Sequence, residues 1–160
     1  MEYVKVEEII FKGKQNINWN EVEKYIKSYT GKHFIIKSTG DEVIVGSDFA
    51  GEYAWSKYTQ KLRGGYAKVK ANITQVIEEL VTNANNKRWV ENKDIKHNMD
   101  AKLGWYRFDI YFCLQVMAED EDEYRINYYR GTVVVRCNDA GMYLYDIINI
   151  KKEARKSQEL

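Results

Sequence analysis

The last third of the chain alternates apolar and polar side chains more regularly than any other part of it. From Tyr106 to Val116 every second residue is apolar, which is the period of a β-strand that buries one of its two faces. Two further runs of this kind follow, Tyr124 to Arg136 and Met142 to Ile150, with the turn sequence Asn138 to Gly141 between them. Three such runs in succession predict a meander of three antiparallel strands, and the acidic residues 119–123 are then the loop between the first two.

Helical periodicity is clearest before this region, where apolar residues recur every three or four positions up to Val81. This spacing predicts a helix from about Tyr66 to Thr82 that lies across the apolar face of the meander. A shorter amphipathic helix is predicted from Trp19 to Tyr29, because Asn18 can cap its start and Gly31 can end it.

Shorter patterns account for the rest of the chain. Residues 3–8 alternate well enough for an opening strand at a sheet edge, and His33 to Lys37 with Glu42 to Val45 predict a hairpin. Residues 46–65 hold no period and contain four glycines, so they are predicted as a long loop with room for one helical turn. The segment from Arg88 to Lys102 is predicted as a second, more polar helix.

Together these elements predict one α+β domain over residues 1–153, in which helices pack on one face of an antiparallel sheet, followed by a polar tail at 154–160. A chain of 160 residues is long enough to bury a core without disulfides or metals. Cys113 and Cys137 lie inside apolar runs at no metal-binding spacing, which favours reduced core thiols. No secretion pattern and no apolar run as long as a membrane span is found, so we expect a cytoplasmic protein with no membrane partner.

The charge of the chain is unevenly distributed. Its overall charge is +1, yet residues 55–107 contain 11 of the 25 Lys and Arg and 5 of the 24 Asp and Glu. This stretch therefore carries +6 and the rest carries −5, and its cations are interleaved with aromatic rings, a combination typical of nucleic-acid binding. The candidate nucleic-acid-binding residues are Lys57, Lys61, Arg63, Lys68, Lys70, Lys87, Lys96 and Lys102.

The two histidines of the chain invite different interpretations. His33 begins a predicted strand beside apolar residues, which favours a structural role. His97 follows Lys96 in the basic stretch, where a neutral imidazole near phosphate-binding cations can act as a general acid or base; a plain surface histidine is the competing interpretation. Two distant histidines and two strand cysteines do not suit a metal ion, so neither a metal nor another cofactor is expected.

Aromatic residues also fall on the polar side of the predicted meander. They could stack nucleic-acid bases on that face of the sheet, or they could simply tile a sheet that another element covers. These residues are Trp105, Tyr111, Tyr128, Tyr143 and Tyr145.

Three segments carry a resemblance to a known class of domain: SKYTQKLRGGYAKVKAN, NKRWVENKDIKHNMDAKLGWYRFDIYFCLQV and MYLYDIINIKKE. Their order resembles a domain of the large polyvalent proteins of phages and conjugative elements of Firmicutes, over about residues 32–153. The most specific pieces are Lys61 to Gly64, Lys96 with His97, and Asp100 to Arg107. Such proteins also carry predicted nuclease domains of the barnase, EndoU, colicin E5/D and RelE type, so the resemblance implies a mobile-element protein directed at nucleic acid.

Two functions are compatible with the resemblance and with the residues. One is a metal-independent ribonuclease, which needs a base, an acid and cations around the reacting phosphate, and for which His97, Arg88 and Tyr106 are the candidate catalytic residues. The other is a non-catalytic phage anti-defence protein, for instance an anti-CRISPR-like inhibitor, that docks its basic face onto a host ribonucleoprotein, a nucleic acid or a protein of bacterial defence. A cleft that joins His97 with Arg63 and Arg88 would favour cleavage, and their scatter over a flat face would favour binding.

Overall fold

Three long antiparallel strands form the centre of the protein, as the alternating pattern predicts. The structure is a computed structural model, and it describes residues 3–13, 16–93, 97–98, 101–117 and 124–154. The predicted acidic loop at 119–123 and most of the predicted tail lie outside these residues. The elements in chain order are β1 (Val4–Val6), α1 (Trp19–Ile26, continued by a 3₁₀ turn at Lys27–Tyr29), β2 (His33–Ile35), β3 (Glu42–Ile44), α2 (Phe49–Trp55), α3 (Lys57–Lys61), α4 (Gly65–Asn72, followed by a 3₁₀ turn at Ile73–Val76), α5 (Ile77–Thr82), β4 (Asn85–Val90), β5 (Gly104–Met117), β6 (Tyr124–Asn138) and β7 (Gly141–Glu153).

The strands of the described residues form a seven-stranded mixed sheet in the order β1-β5-β6-β7-β3-β2, with β4 also paired to β5. The α+β class and the meander β5-β6-β7 are confirmed, and so is the β2–β3 hairpin. The prediction of an antiparallel sheet is wrong at two pairings, because β1 runs parallel to β5 and β3 runs parallel to β7. Parallel neighbours need a crossover connection, and the helices α1 to α5 lie in the chain segments that separate these partners.

The long strand β5 holds two partners on the same edge. Its first half pairs with β4 and its second half pairs with β1. Residues 85–90 are therefore a strand, and the prediction of a helix from Arg88 is wrong for this part. Tertiary pairing decides the outcome here, since Asn, Lys and Arg have little strand preference of their own and Asn86 adopts a left-handed conformation with φ of 58°.

The predicted helix from Tyr66 to Thr82 is interrupted. A 3₁₀ turn separates α4 from α5, because polar side chains at the break bond to the backbone. Asn72 donates from its side-chain amide to the carbonyl of Lys68, and Thr74 donates from its hydroxyl to the carbonyl of Ala71. Such bonds compete with the helical ladder.

The predicted loop over residues 46–65 contains two short helices instead, α2 and α3. Phe49 and Tyr53 are buried on α2, and the Ser56 hydroxyl accepts from the backbone N–H of Thr59 to cap α3. Helices of seven and five residues are too short to show a period, so tertiary burial rather than local pattern stabilises them.

One hydrophobic core lies between the helices and the apolar face of the meander. It includes Phe108, Ile110 and Phe112 of β5 and Leu80 of α5, all almost fully buried. The alternate residues of the meander project to the opposite side, which we call the outer face. No helix among the described residues combines the length and apolar character needed to cross a membrane.

Candidate functional site on the outer face

A pocket of about 720 Å³ opens on the outer face of the sheet. Its floor comes from the meander, where Arg107, Val134 and Asp146 are neighbours across β5, β6 and β7. Its wall comes from the segment that follows β4. The lining residues are Val90, Glu91, Asn92, Lys93, His97, Trp105, Arg107, Val134, Tyr145, Asp146 and Ile148.

His97 lies in an aromatic cluster at one end of this pocket. Its ring makes edge-to-face contacts with Trp105 and Tyr145, at centroid distances of 5.0 and 5.5 Å. The Tyr145 hydroxyl lies 3.4 Å from His97 Nε2, and the Asn92 side chain donates to the His97 carbonyl at 3.1 Å. His97 is thus held in place and is only 7% exposed, so the interpretation as a plain surface histidine is wrong.

Arg107 supplies a cation to the same pocket. It is half-buried and stands directly across from Arg88 in the β4–β5 pairing. Arg88 forms an ion pair with Asp109 at 3.0 Å, whereas Arg107 has no hydrogen-bond or ion-pair partner among the described residues. Sequence reasoning did not select Arg107, although its position two residues after Trp105 puts both side chains on one face of a strand.

Asp146 connects the pocket to a buried polar cluster. Its Oδ1 accepts from Lys70 Nζ at 2.7 Å, and the Lys70 ammonium also donates to the Thr59 hydroxyl and lies 4.4 and 5.0 Å from the ring centroids of Tyr53 and Tyr58. Burial lowers the pKa of Lys70 and raises the pKa of Asp146, and their mutual attraction opposes both shifts. Lys70 is fully buried, so it is not available to a nucleic acid, contrary to the prediction from sequence.

Four predicted cations remain accessible on the surface formed by α3, α4 and the short connection between them, which we call the helical surface. Three of them are exposed and one is half-buried, and none forms an ion pair with an acidic side chain of the described residues. Arg63 donates to the carbonyls of Gln60 and Leu62. The four residues are Lys57, Lys61, Arg63 and Lys68.

The other predicted cations are engaged elsewhere. Lys87 forms an ion pair with Asp41 at 2.7 Å, and Lys102 forms one with Asp139 at 3.1 Å. Lys96 lies outside the described residues. These two surface pairs hold their cations near carboxylates, which leaves less positive charge for a phosphate.

The three candidate catalytic residues do not converge. Tyr106 pairs with Val135 on the core side of the meander. Lys87 Nζ lies over its ring, 4.3 Å from the ring centroid. Arg88 is on the outer face in its ion pair with Asp109 and does not line the pocket. The structure therefore brings His97 together with Arg107, Trp105 and Tyr145 rather than with the partners predicted for it; Arg63 does not line this pocket either.

No group of three or more His, Cys, Asp or Glu side chains within the described ranges is placed to hold a metal ion. A scan against family models and searches of curated proteins and of solved structures found no match to this chain.

Proposed function

We propose that this protein acts on RNA as a metal-independent ribonuclease and that the outer-face pocket binds the strand to be cleaved. The observation that carries the proposal is the shared pocket of His97 and Arg107, which places an imidazole and a guanidinium cation side by side in one lining. Cleavage by the 2′-hydroxyl needs a base for that hydroxyl, an acid for the leaving 5′-oxygen and positive charge for the phosphorane-like transition state. His97 serves as the acid or base, and Arg107 stabilises the charge.

Aromatic rings beside these two residues suit a single-stranded substrate. Trp105 and Tyr145 make an edge-to-face contact with their ring centroids 4.8 Å apart, and both line the pocket. Stacking of a base on such a ring contributes about 1–3 kcal/mol per base. A nucleotide in this pocket would therefore gain affinity from its base and from its phosphate at the same time.

The setting of the proposed activity follows from the resemblance stated above. A domain like those of phage and conjugative-element polyvalent proteins would act in the cytoplasm of a bacterial host, on host RNA or on a ribonucleoprotein of host defence.

A second function is favoured by a different observation. Tyr106 and Arg88 do not join His97, while the helical surface keeps Lys57, Lys61 and Arg63 exposed and free of ion pairs with the described residues. Cations spread over a surface suit binding better than catalysis. The alternative is thus a non-catalytic anti-defence protein that occupies a host ribonucleoprotein or a protein of bacterial defence.

The deciding experiment incubates the pure protein with total RNA and with a Cas-type guide RNA in EDTA. We expect cleavage by the wild type and a loss on the order of 100-fold in His97→Ala, the size typical of a lost general acid or base. Since His97 packs against two rings, His97→Gln is measured beside it with thermal unfolding of all three proteins, so that a folding defect is recognised.

Intact RNA after incubation with the wild type would overturn the ribonuclease and leave the binder. Equal cleavage by a folded His97→Gln protein would remove His97 from the mechanism.

A further inference from the structure

We propose that the substrate is a single-stranded oligonucleotide that runs along the outer face from the pocket at His97 into a second pocket, which acts as an additional nucleotide subsite. This inference rests on the proposed function and adds a direction and a length to it. The second pocket has a volume of about 320 Å³. It is lined by Asp109, Tyr111, Arg130, Gly131, Thr132, Asn149 and Lys151.

The two pockets are successive along the same strands. Arg107 lines the first and Asp109 lines the second, two residues further on β5; Val134 and Thr132 have the same relation on β6. Residues two apart on a strand point to one face and are separated by about 6.6 Å. A strand of nucleic acid that leaves the first pocket along the sheet therefore enters the second directly.

The electrostatics of this path favour a polyanion. Arg130 and Lys151 are exposed at the second pocket, and neither has an ion-pair partner in the described part of the chain. The two carboxylates on the floor of the path are already paired, Asp109 with Arg88 and Asp146 with Lys70. The exposed Glu91 and Lys93 at the first pocket offset each other. The path thus presents three cations that no described residue pairs with, Arg107, Arg130 and Lys151.

Aromatic rings mark both ends of the path. Trp105 and Tyr145 line the first pocket and Tyr111 lines the second. The Tyr111 ring packs edge-to-face against the ring of Tyr3, with the two centroids 5.8 Å apart. Rings spaced along a cationic groove fit single-stranded RNA, whose unstacked bases can lie on them, better than a duplex, whose bases are already stacked.

Binding of uncleavable 2′-O-methyl oligouridylates, measured by fluorescence anisotropy at several salt concentrations, tests the path. The probes are uridine monophosphate and an oligomer of about eight nucleotides, within the site sizes of single-strand binding proteins. The variant is Arg130→Ala/Lys151→Ala. Its control is Lys32→Ala/Lys37→Ala, which removes the same charge from exposed positions on either side of β2, at the other edge of the sheet.

We expect Arg130→Ala/Lys151→Ala to lower affinity for the oligomer on the order of 10-fold and to reduce the salt slope by about 1.4, or about 0.7 per lost contact. Affinity for the monophosphate should not change, and the control should change oligomer affinity less than about 2-fold. An oligomer that binds both double variants equally overturns the second subsite.

The same measurement separates this inference from the proposed function. If Arg107→Ala lowers the affinity for the oligomer and Arg130→Ala/Lys151→Ala does not, the first pocket remains a binding site and the second subsite is overturned. A wild type that binds neither probe, or that binds an acidic peptide instead, overturns both.

Discussion

The helical surface and the outer-face pocket are both cationic, but they are built in different ways. The helical surface takes Lys57, Lys61, Arg63 and Lys68 from one short stretch of chain, and the first three of these side chains are exposed to solvent. The pocket collects His97, Arg107 and Tyr145 from β5, β7 and the segment after β4, and it surrounds them with other side chains. Dense charge along the chain therefore predicts attraction to a polyanion, whereas convergence in space is what a site needs for positioning and chemistry.

Lys68 and Lys70 show the same contrast within one helix. Both belong to α4, and Lys68 stays partly exposed while Lys70 is fully buried beside Asp146. Within α4, Lys70 lies three positions after Ala67 and one before Ala71, and both alanines are core residues. Position on the helix, and not charge, decides which lysine can meet a ligand.

The largest effect is expected on the free energy of unfolding, from the buried ion pair of Lys70 and Asp146 that links α4 to the outer-face pocket. Asp146→Ala leaves the Lys70 ammonium buried without its carboxylate, and breaking a buried ion pair in this way costs about 3–5 kcal/mol. Urea unfolding of the variant measures the loss. The matched change Lys68→Ala, on the same helix but at the surface, should alter the free energy of unfolding by less than about 0.5 kcal/mol.

A double variant, Lys70→Met with Asp146→Leu, removes both charges together and is expected to recover most of the stability. A small loss for Asp146→Ala alone, below about 1 kcal/mol, would mean that water or another group satisfies Lys70.

The next largest effect is expected on RNA affinity, and it should distinguish Arg107 from Arg88, its neighbour across the β4–β5 pairing. Arg107→Ala should weaken RNA binding by about 1.5–3 kcal/mol, the range for a hydrogen bond to a charged group, because Arg107 lines the pocket and no described residue pairs with it. Arg88→Ala should have little effect on affinity, because Asp109 already holds its guanidinium. Anisotropy with an uncleavable oligomer measures both, and equal losses would contradict the assignment of Arg107 as the phosphate contact.

The smallest effect is expected from the helical surface. Lys61→Ala/Arg63→Ala/Lys68→Ala should weaken RNA binding mainly at low salt and flatten its salt dependence by about 0.7 per lost contact, because exposed cations act through counterion release. Cleavage of a short oligomer at saturating concentration should stay at the wild-type rate. An unchanged salt slope would show that the helical surface does not contact RNA. A lower cleavage rate at saturating oligomer would show that these cations take part in the cleavage step.

The parts of the fold that were predictable are those whose pattern depends on one continuous element. β5 alternates over its whole length, so its buried face was readable from Phe108, Ile110 and Phe112 alone. β4 was not, because its strand conformation depends on pairing with β5, and neither were α2 and α3, which are shorter than a readable period. The parallel pairings join residues that are far apart in the chain, which no local pattern encodes.

The candidate site was predictable to a similar extent. The basic stretch directed attention to His97, which lies in the pocket, and strand alternation could have added Arg107 beside Trp105. Arg88 and Lys87 could not be set aside from the sequence, because their partners Asp109 and Asp41 come from other strands or turns. The roles of His97 and of the helical surface in binding RNA stay predictions.

The parallel pairing of β1 with β5 has a consequence for the order of folding. The meander forms from hairpins between successive strands, and such local contacts form fast, whereas β1 must find β5 from the opposite end of the chain, which is slow because a long loop has to close first. During that interval the second half of β5 is an open edge with unpaired backbone groups. Dilution during refolding should therefore raise the yield of native protein, since an open edge of this kind recruits a second chain in proportion to concentration.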